Sequence, residues 1–159
     1  MSLRKILEYV SLAGVLYIAW ITADALFGPR RLGGRVPMHF DAAGNADAWG
    51  SPWALVVLPL VAIGIYALMT VVSRRPAAFN FPVRVTPRSR PRLEALAVEM
   101  IGWLKAEVIC LFAWIQTVTI ETVRHGGGHL PPFVVPLVLV AVFATILSYI
   151  VAMRRAAHA

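Results

Sequence analysis

The stretch VPMHFDAAGNADAWGSPW, Val36 to Trp53, is a polar island between apolar runs. On each side the chain stays apolar for on the order of 20 residues, which is what about 30 Å of hydrocarbon requires. The island therefore reads as the loop between two membrane crossings. It holds His39, Asp41, Asn45 and Asp47, with Trp49 and Trp53 near its end.

Composition agrees with this reading. Of 159 residues, 59% are hydrophobic and 14% charged, against roughly 25% charged in a typical soluble domain. Mean hydropathy is +0.73. A soluble chain of this length could not hide that much apolar surface, so lipid is the expected solvent. The net charge of +7 is then read through a bilayer with anionic headgroups rather than through nucleic acid. Cys110 is the one cysteine; it lies in an apolar run and is expected to act as a small buried hydrophobe.

Four crossings are expected within one membrane domain, residues 1–159, giving an all-α integral membrane protein. It is a four-transmembrane-helix bundle with helices at about 6–27, 52–72, 96–120 and 133–153. An ordered outer loop, 28–51, joins the first two helices, and a basic, proline-rich loop, 73–91, joins the second and third. The first apolar run follows Arg4 and Lys5 but is too long for a signal peptide and lacks an A-x-A-like cleavage site, so it reads as an uncleaved helix. Lys and Arg set the orientation. Arg4, Lys5, Arg74, Arg75, Arg84, Arg88, Arg90, Arg92, Arg154 and Arg155 fall on one side; Arg30, Arg31, Arg35 and Arg124 fall on the other. Both termini are expected in the cytoplasm of a bacterium, the protein in its inner membrane, and the island outside.

Within the outer loop, Gly28-Pro29 ends the first helix. Val36–Phe40 contains Pro37 and alternates, as in a short edge strand. Gly44-Asn45 signals a turn. Ser51 is a candidate cap with Pro52 at the first helical position. In the basic loop, Phe79–Val85 is extended in character, with aromatics suited to the membrane surface. Ser89 is a candidate cap for a third helix running from Arg90 to Glu121, long enough to project into the cytoplasm. His125-Gly-Gly-Gly-His129 lacks the partners of an oxyanion hole or metal site and reads as a flexible connector.

The candidate ligand- or partner-binding residues are His39, Asp41, Asn45, Asp47, Trp49, Trp103 and Glu107. On an extended segment His39 and Asp41 share a face, and Asp47 can fold back toward them. Such a group can hold a cation or shuttle a proton. The alternative is a loop that ties itself down, with Asp41 and Asn45 bonding backbone N–H groups and His39 donating to a carboxylate. Lys105 and Glu107 interrupt the third apolar run, where charge is costly and usually faces the bundle. About 200° separates them around the helix, so they do not pair; Lys105 is expected to snorkel. Glu99, Trp103 and Glu107 share one face. Asp24 is a shallower case in the first helix, and Gln116 and Thr117 are candidates for bonds between helices.

The pattern P-x-H-F-x-x-x-G-x-x-x-x-W-G-S is present as Pro37, His39, Phe40, Gly44, Trp49, Gly50 and Ser51. It resembles the bacterial membrane family called domain of unknown function 1648, which also forms the N-terminal part of SdpI-type immunity proteins. The resemblance continues through Asn80–Thr86, Trp103-Leu104-Lys105 and Ile115-Gln116, from about Gly28 to Gln116. Met38 and Pro52 depart from the family pattern, which often has Ile and Lys there. The resemblance implies a binding or immunity protein that holds an exported peptide, toxin, lipid or partner membrane protein at the outer loop. Two rival readings are an oligomeric proton-coupled transporter or complex subunit using Glu107, and a metal-dependent membrane enzyme using His39 and Asp41. No catalytic residue, cofactor or resident metal is assigned, and no nucleophilic triad is identifiable.

Overall fold

The fold, a computed structural model, describes residues 2–126 and 129–158. Among the described residues the main elements are four α-helices and one hairpin. Helix α1 (Leu3–Phe27) leads to strands β1 (Val36–Phe40) and β2 (Ala46–Gly50). A 3-10 turn (Pro52–Val56) then enters α2 (Val57–Ser73), followed by α3 (Arg90–His125) and α4 (Val134–His158). Among the described residues three units are long and apolar enough to cross a membrane: Leu3–Phe27, Pro52–Ser73 and Val134–His158. The all-α expectation is corrected by the hairpin. Gly127 and Gly128 of the expected connector lie outside the described residues.

Helix α3 is the hub, touching α1, α2 and α4. On α1 the buried residues Leu7, Ser11, Val15, Ile18, Thr22 and Ala25 recur every third or fourth position, so they form one stripe. Ser11 and Thr22 sit on it without cost because their hydroxyls donate back to the carbonyls of Leu7 and Ile18. Gly14 lets Ile109 of α3 come close; a Cβ there would stand 2.6 Å from its methyl group.

The 36 residues of α3 extend about 54 Å at 1.5 Å per residue. Its first turns pack on the end of α4 and are covered by the 74–89 connection. There Phe79, Phe81, Val83 and Val85 pack on Leu93 and Ala97 of α3 and on Met153 and Ala156 of α4. The period-2 spacing of those four residues puts them on one face of an extended segment. Their partner is the protein, not the membrane surface expected from the sequence. The same contact explains why α4 continues past Met153 to His158.

The start of α3 also differs from expectation. Ser89 makes no side-chain cap. Instead Thr86 Oγ1 accepts from Ser89 N, Ser89 Oγ accepts from Thr86 N, and Arg90 N donates to Thr86 O. This is a capping box with Thr86 as the cap and Pro87 next to it. At the far end Gly126, at φ +67°, closes the helix in the left-handed region.

Candidate functional site

The hairpin is an antiparallel pair in which Val36 faces Gly50 and Phe40 faces Ala46, with register shifts on either side of His39. The turn is built by Asp41. Its carboxylate accepts from the Asn45 backbone N–H (2.8 Å) and side-chain amide (3.3 Å), while its own carbonyl accepts from Gly44 N. Asp41 N in turn donates to Asn45 O. The Asn45 backbone N–H, ahead of the other bonds, holds the Asp41 carboxyl below its ordinary pKa. Gly44 takes φ +86°, which other residues rarely adopt.

The hairpin is fastened at both ends. At its root Val36 is fully buried with Ala25 of α1, Leu55 of the 3-10 turn and Ile120 of α3. At its tip Leu130, on the connection into α4, donates its N–H to Gly44 O at 3.0 Å. A Cβ on Gly44 would collide with the Leu130 carbonyl at 1.8 Å. Arg35 Nη2 additionally donates to the Trp49 carbonyl.

His39 and Asp47 are brought together across the strands, with Nδ1 to Oδ1 at 2.6 Å, and their side chains are 68% and 48% exposed. Asp41 is not part of this pair; the turn holds it. The His39–Asp41 grouping read from the spacing is thus split, because β-bulges re-aim side chains that regular alternation would put on one face. Among the described residues no three His, Cys, Asp or Glu side chains converge as a metal site. Met38 and Trp49 are also exposed. Trp53 stands edge-on to Phe27 with ring centroids 5.8 Å apart.

The remaining candidates lie between helices. Glu107 Oε1 accepts from Thr145 of α4 at 2.6 Å, whereas its Oε2 is buried without a partner among the described residues. Glu99, two turns earlier, accepts from Tyr149 of α4, with half-exposed Trp103 on the same face between them. Cys110 is exposed, beside Glu107 in the α3–α4 groove, rather than buried as expected. Gln116 is buried and donates to Thr22 Oγ1 (2.7 Å) and to the Leu55 carbonyl (2.9 Å). That carbonyl would normally receive an N–H from residue 59, but Pro59 has none. Gln116 replaces the missing donor and joins α1, α3 and the start of α2. Thr117 meets Tyr17 at 3.1 Å.

Lys105 does not snorkel. It is 3% exposed and donates to Glu8 of α1 at 2.6 Å and to Thr70 of α2 at 3.0 Å. Its ammonium lies 4.6 Å from the Tyr66 ring centre, and the Tyr66 hydroxyl donates to the other Glu8 oxygen. Sequence reading passed over Glu8 because it follows two basic residues at the start of a helix. The available signal was Lys105 itself, since a buried cation needs an acid on a neighbouring helix. Arg124 was likewise missed as the partner of Asp24.

No curated protein and no solved structure matches the chain. One family does, over a shorter span than the resemblance drawn from the motifs; Asn80–Thr86, Trp103–Lys105 and Ile115-Gln116 lie outside it. Residues 14–63, from within α1 through the hairpin into α2, match the family described as Domain of unknown function (DUF1648).

Proposed function

We propose that this is a four-crossing protein of the bacterial inner membrane, with both termini cytoplasmic, that recognises a ligand or partner through its extracytoplasmic hairpin. The observation that carries the reading is a division of labour within the hairpin. Its backbone is tied at root and tip, yet His39, Asp47, Met38 and Trp49 are left exposed. Exposed side chains held on a fixed support are what a recognition surface requires.

Two observations support the membrane placement. Ten Lys and Arg residues gather at the end where α1 begins and α4 finishes, against four at the hairpin end. The polar groups of α3 turn toward α1, α2 and α4 rather than outward, which lowers the cost of placing that helix in hydrocarbon. Trp53 and Phe27 then lie at headgroup depth. The occupant we favour, following the SdpI-type resemblance, is an exported peptide, toxin or lipid.

The test is protection. Cells producing the wild-type chain are challenged with a panel of exported peptide toxins and compared with cells producing a His39→Ala/Asp47→Ala variant at equal membrane levels. The reading expects resistance to at least one toxin that the variant fails to confer. Equal protection by both chains contradicts it.

A second reading is favoured by the unpartnered Glu107 oxygen, which lines an α3–α4 groove of about 250 Å3 with Cys110 and Val138. Such a carboxylate suits an oligomeric proton-coupled transporter or a subunit of a larger complex. Flux through liposomes should then fall in Glu107→Gln; unaltered flux dismisses it.

A further inference from the structure

The hairpin end carries a basic cleft that neither reading uses. A cavity of about 470 Å3 lies between the α1–β1 connection and the last turn of α3, lined by Arg30, Arg31, Gly33, Gly34, Arg124 and His125 among others. Two of its basic side chains have a reason within the fold. Arg124 and His125 occupy the final turn of α3, where positive charge offsets the negative helix end, and Arg124 bonds Asp24. Arg30 and Arg31 have none: both are exposed, and neither meets an acid among the described residues. The acids nearby, Asp24 and Glu121, are already committed to Arg124 and His125.

Three further features point the same way. Arginines at this end oppose the charge bias that would orient the chain, so their presence needs a separate cause. Arg124 Nε is buried without a hydrogen-bond partner among the described residues. Gly33 and Gly34 adopt no left-handed backbone, and a Cβ on either would meet nothing within 4 Å. Neither packing nor strain calls for glycine there, but glycine leaves backbone N–H groups open to a bulky oxyanion.

We propose that this cleft binds a phosphate group, gripped by Arg30 and Arg31 with Arg124 as the fixed cation of the opposite wall. Guanidinium forks match phosphate oxygens in pairs, and a concave basic wall concentrates anions. The phosphate can come from an anionic lipid headgroup of the adjoining leaflet or from a soluble phosphate ester. The inference goes beyond the hairpin reading and uses neither His39 nor Asp47, so a His39→Ala/Asp47→Ala chain should bind phosphate as the wild type does.

The full chain is placed in nanodiscs and tested in two arms. Inorganic pyrophosphate is titrated by calorimetry onto phosphatidylcholine discs, and lipid retained from phosphatidylglycerol discs is counted by native mass spectrometry. Arg30→Gln/Arg31→Gln should weaken binding about tenfold or more in at least one arm, as for loss of a charge-assisted bond. Loss with pyrophosphate identifies a soluble ester, loss with phosphatidylglycerol a headgroup, and loss in both the shared phosphate chemistry. Gly34→Asp, which puts a carboxylate into the cleft, should act likewise, while Ala42→Asp at the hairpin tip controls for net charge. Wild-type binding by Arg30→Gln/Arg31→Gln in both arms, or a loss in Ala42→Asp equal to that in Gly34→Asp, overturns the proposal.

Discussion

Two acid–base side-chain contacts of the same length stand at opposite ends of this molecule. His39–Asp47 and Lys105–Glu8 both close to 2.6 Å, yet their surroundings differ. The hairpin pair is exposed on both sides, and an exposed pair contributes only ~0–1 kcal/mol. Lys105 is buried among α1, α2 and α3, where Glu8 and Thr70 accept from its ammonium and the Tyr66 ring lies beside it. A cation so placed destabilises the fold strongly once its partner is gone. Distance alone therefore does not tell a structural pair from an available one; burial and the number of elements joined do.

The largest effect should come from removing the partner of buried Lys105, the Glu8 carboxylate, whose own side chain is 43% exposed. Glu8→Gln leaves Lys105 without its counter-charge and should cost ~3–5 kcal/mol, read as a lower melting temperature in detergent. Replacing both partners, Glu8→Leu with Lys105→Met, should recover most of that loss, because paired apolar groups need no compensation. A double variant as unstable as Glu8→Gln would show that packing, not charge, is at stake.

Next in size is Gln116→Leu. It leaves the Leu55 carbonyl and Thr22 hydroxyl without their donor, an expected loss of ~1–3 kcal/mol by the same measurement. Unchanged melting would mean that another group meets the Leu55 carbonyl.

Gly44→Ala sharpens the comparison from the hairpin side. The substitution meets both the positive φ and the Leu130 carbonyl, at an expected ~1–3 kcal/mol of local strain. Hydrogen exchange should quicken in residues 36–50 while α1 and α3 stay protected. Loosening spread evenly through the helices would contradict a locally fastened hairpin.

How much of this was legible in the sequence follows from what kind of contact is involved. The apolar runs, Pro37, the Gly44 turn and the role of Gln116 could be read because each depends on local chemistry or on one residue's cost in an apolar run. The second strand could not: Ala46–Gly50 has no β-branched residue, and it forms because the Asp41 turn folds it back on β1. Glu8 escaped for a different reason. Its importance lies 97 residues away along the chain, and nothing near it marks it. Thr86, not Ser89, caps α3 because the two hydroxyls bond each other's backbone N–H, a reciprocity that either residue type alone would suggest equally. Among the binding candidates, His39 and Asp47 meet as expected, whereas Asp41 and Asn45 are spent on the turn.

The smallest effect is one of pH. The Asp41 pKa is lowered in the fold, so its contribution is complete above the unfolded aspartate value of about 3.9 and is lost as pH falls through the lower folded value. Exchange at Gly44 and Asn45 should therefore quicken only in strong acid, and an Asp41→Asn variant should lack that dependence. Quickening already near pH 6 would assign it to another group.

The most direct test is a side-by-side melt of Glu8→Gln and His39→Ala/Asp47→Ala in one detergent. We expect the first to fall by ~6–12 °C, the equivalent of about 3 kcal/mol, and the second to stay within ~2 °C of the wild type. The reverse order would contradict the account, since the hairpin pair would then belong to the fold and not be free to recognise anything.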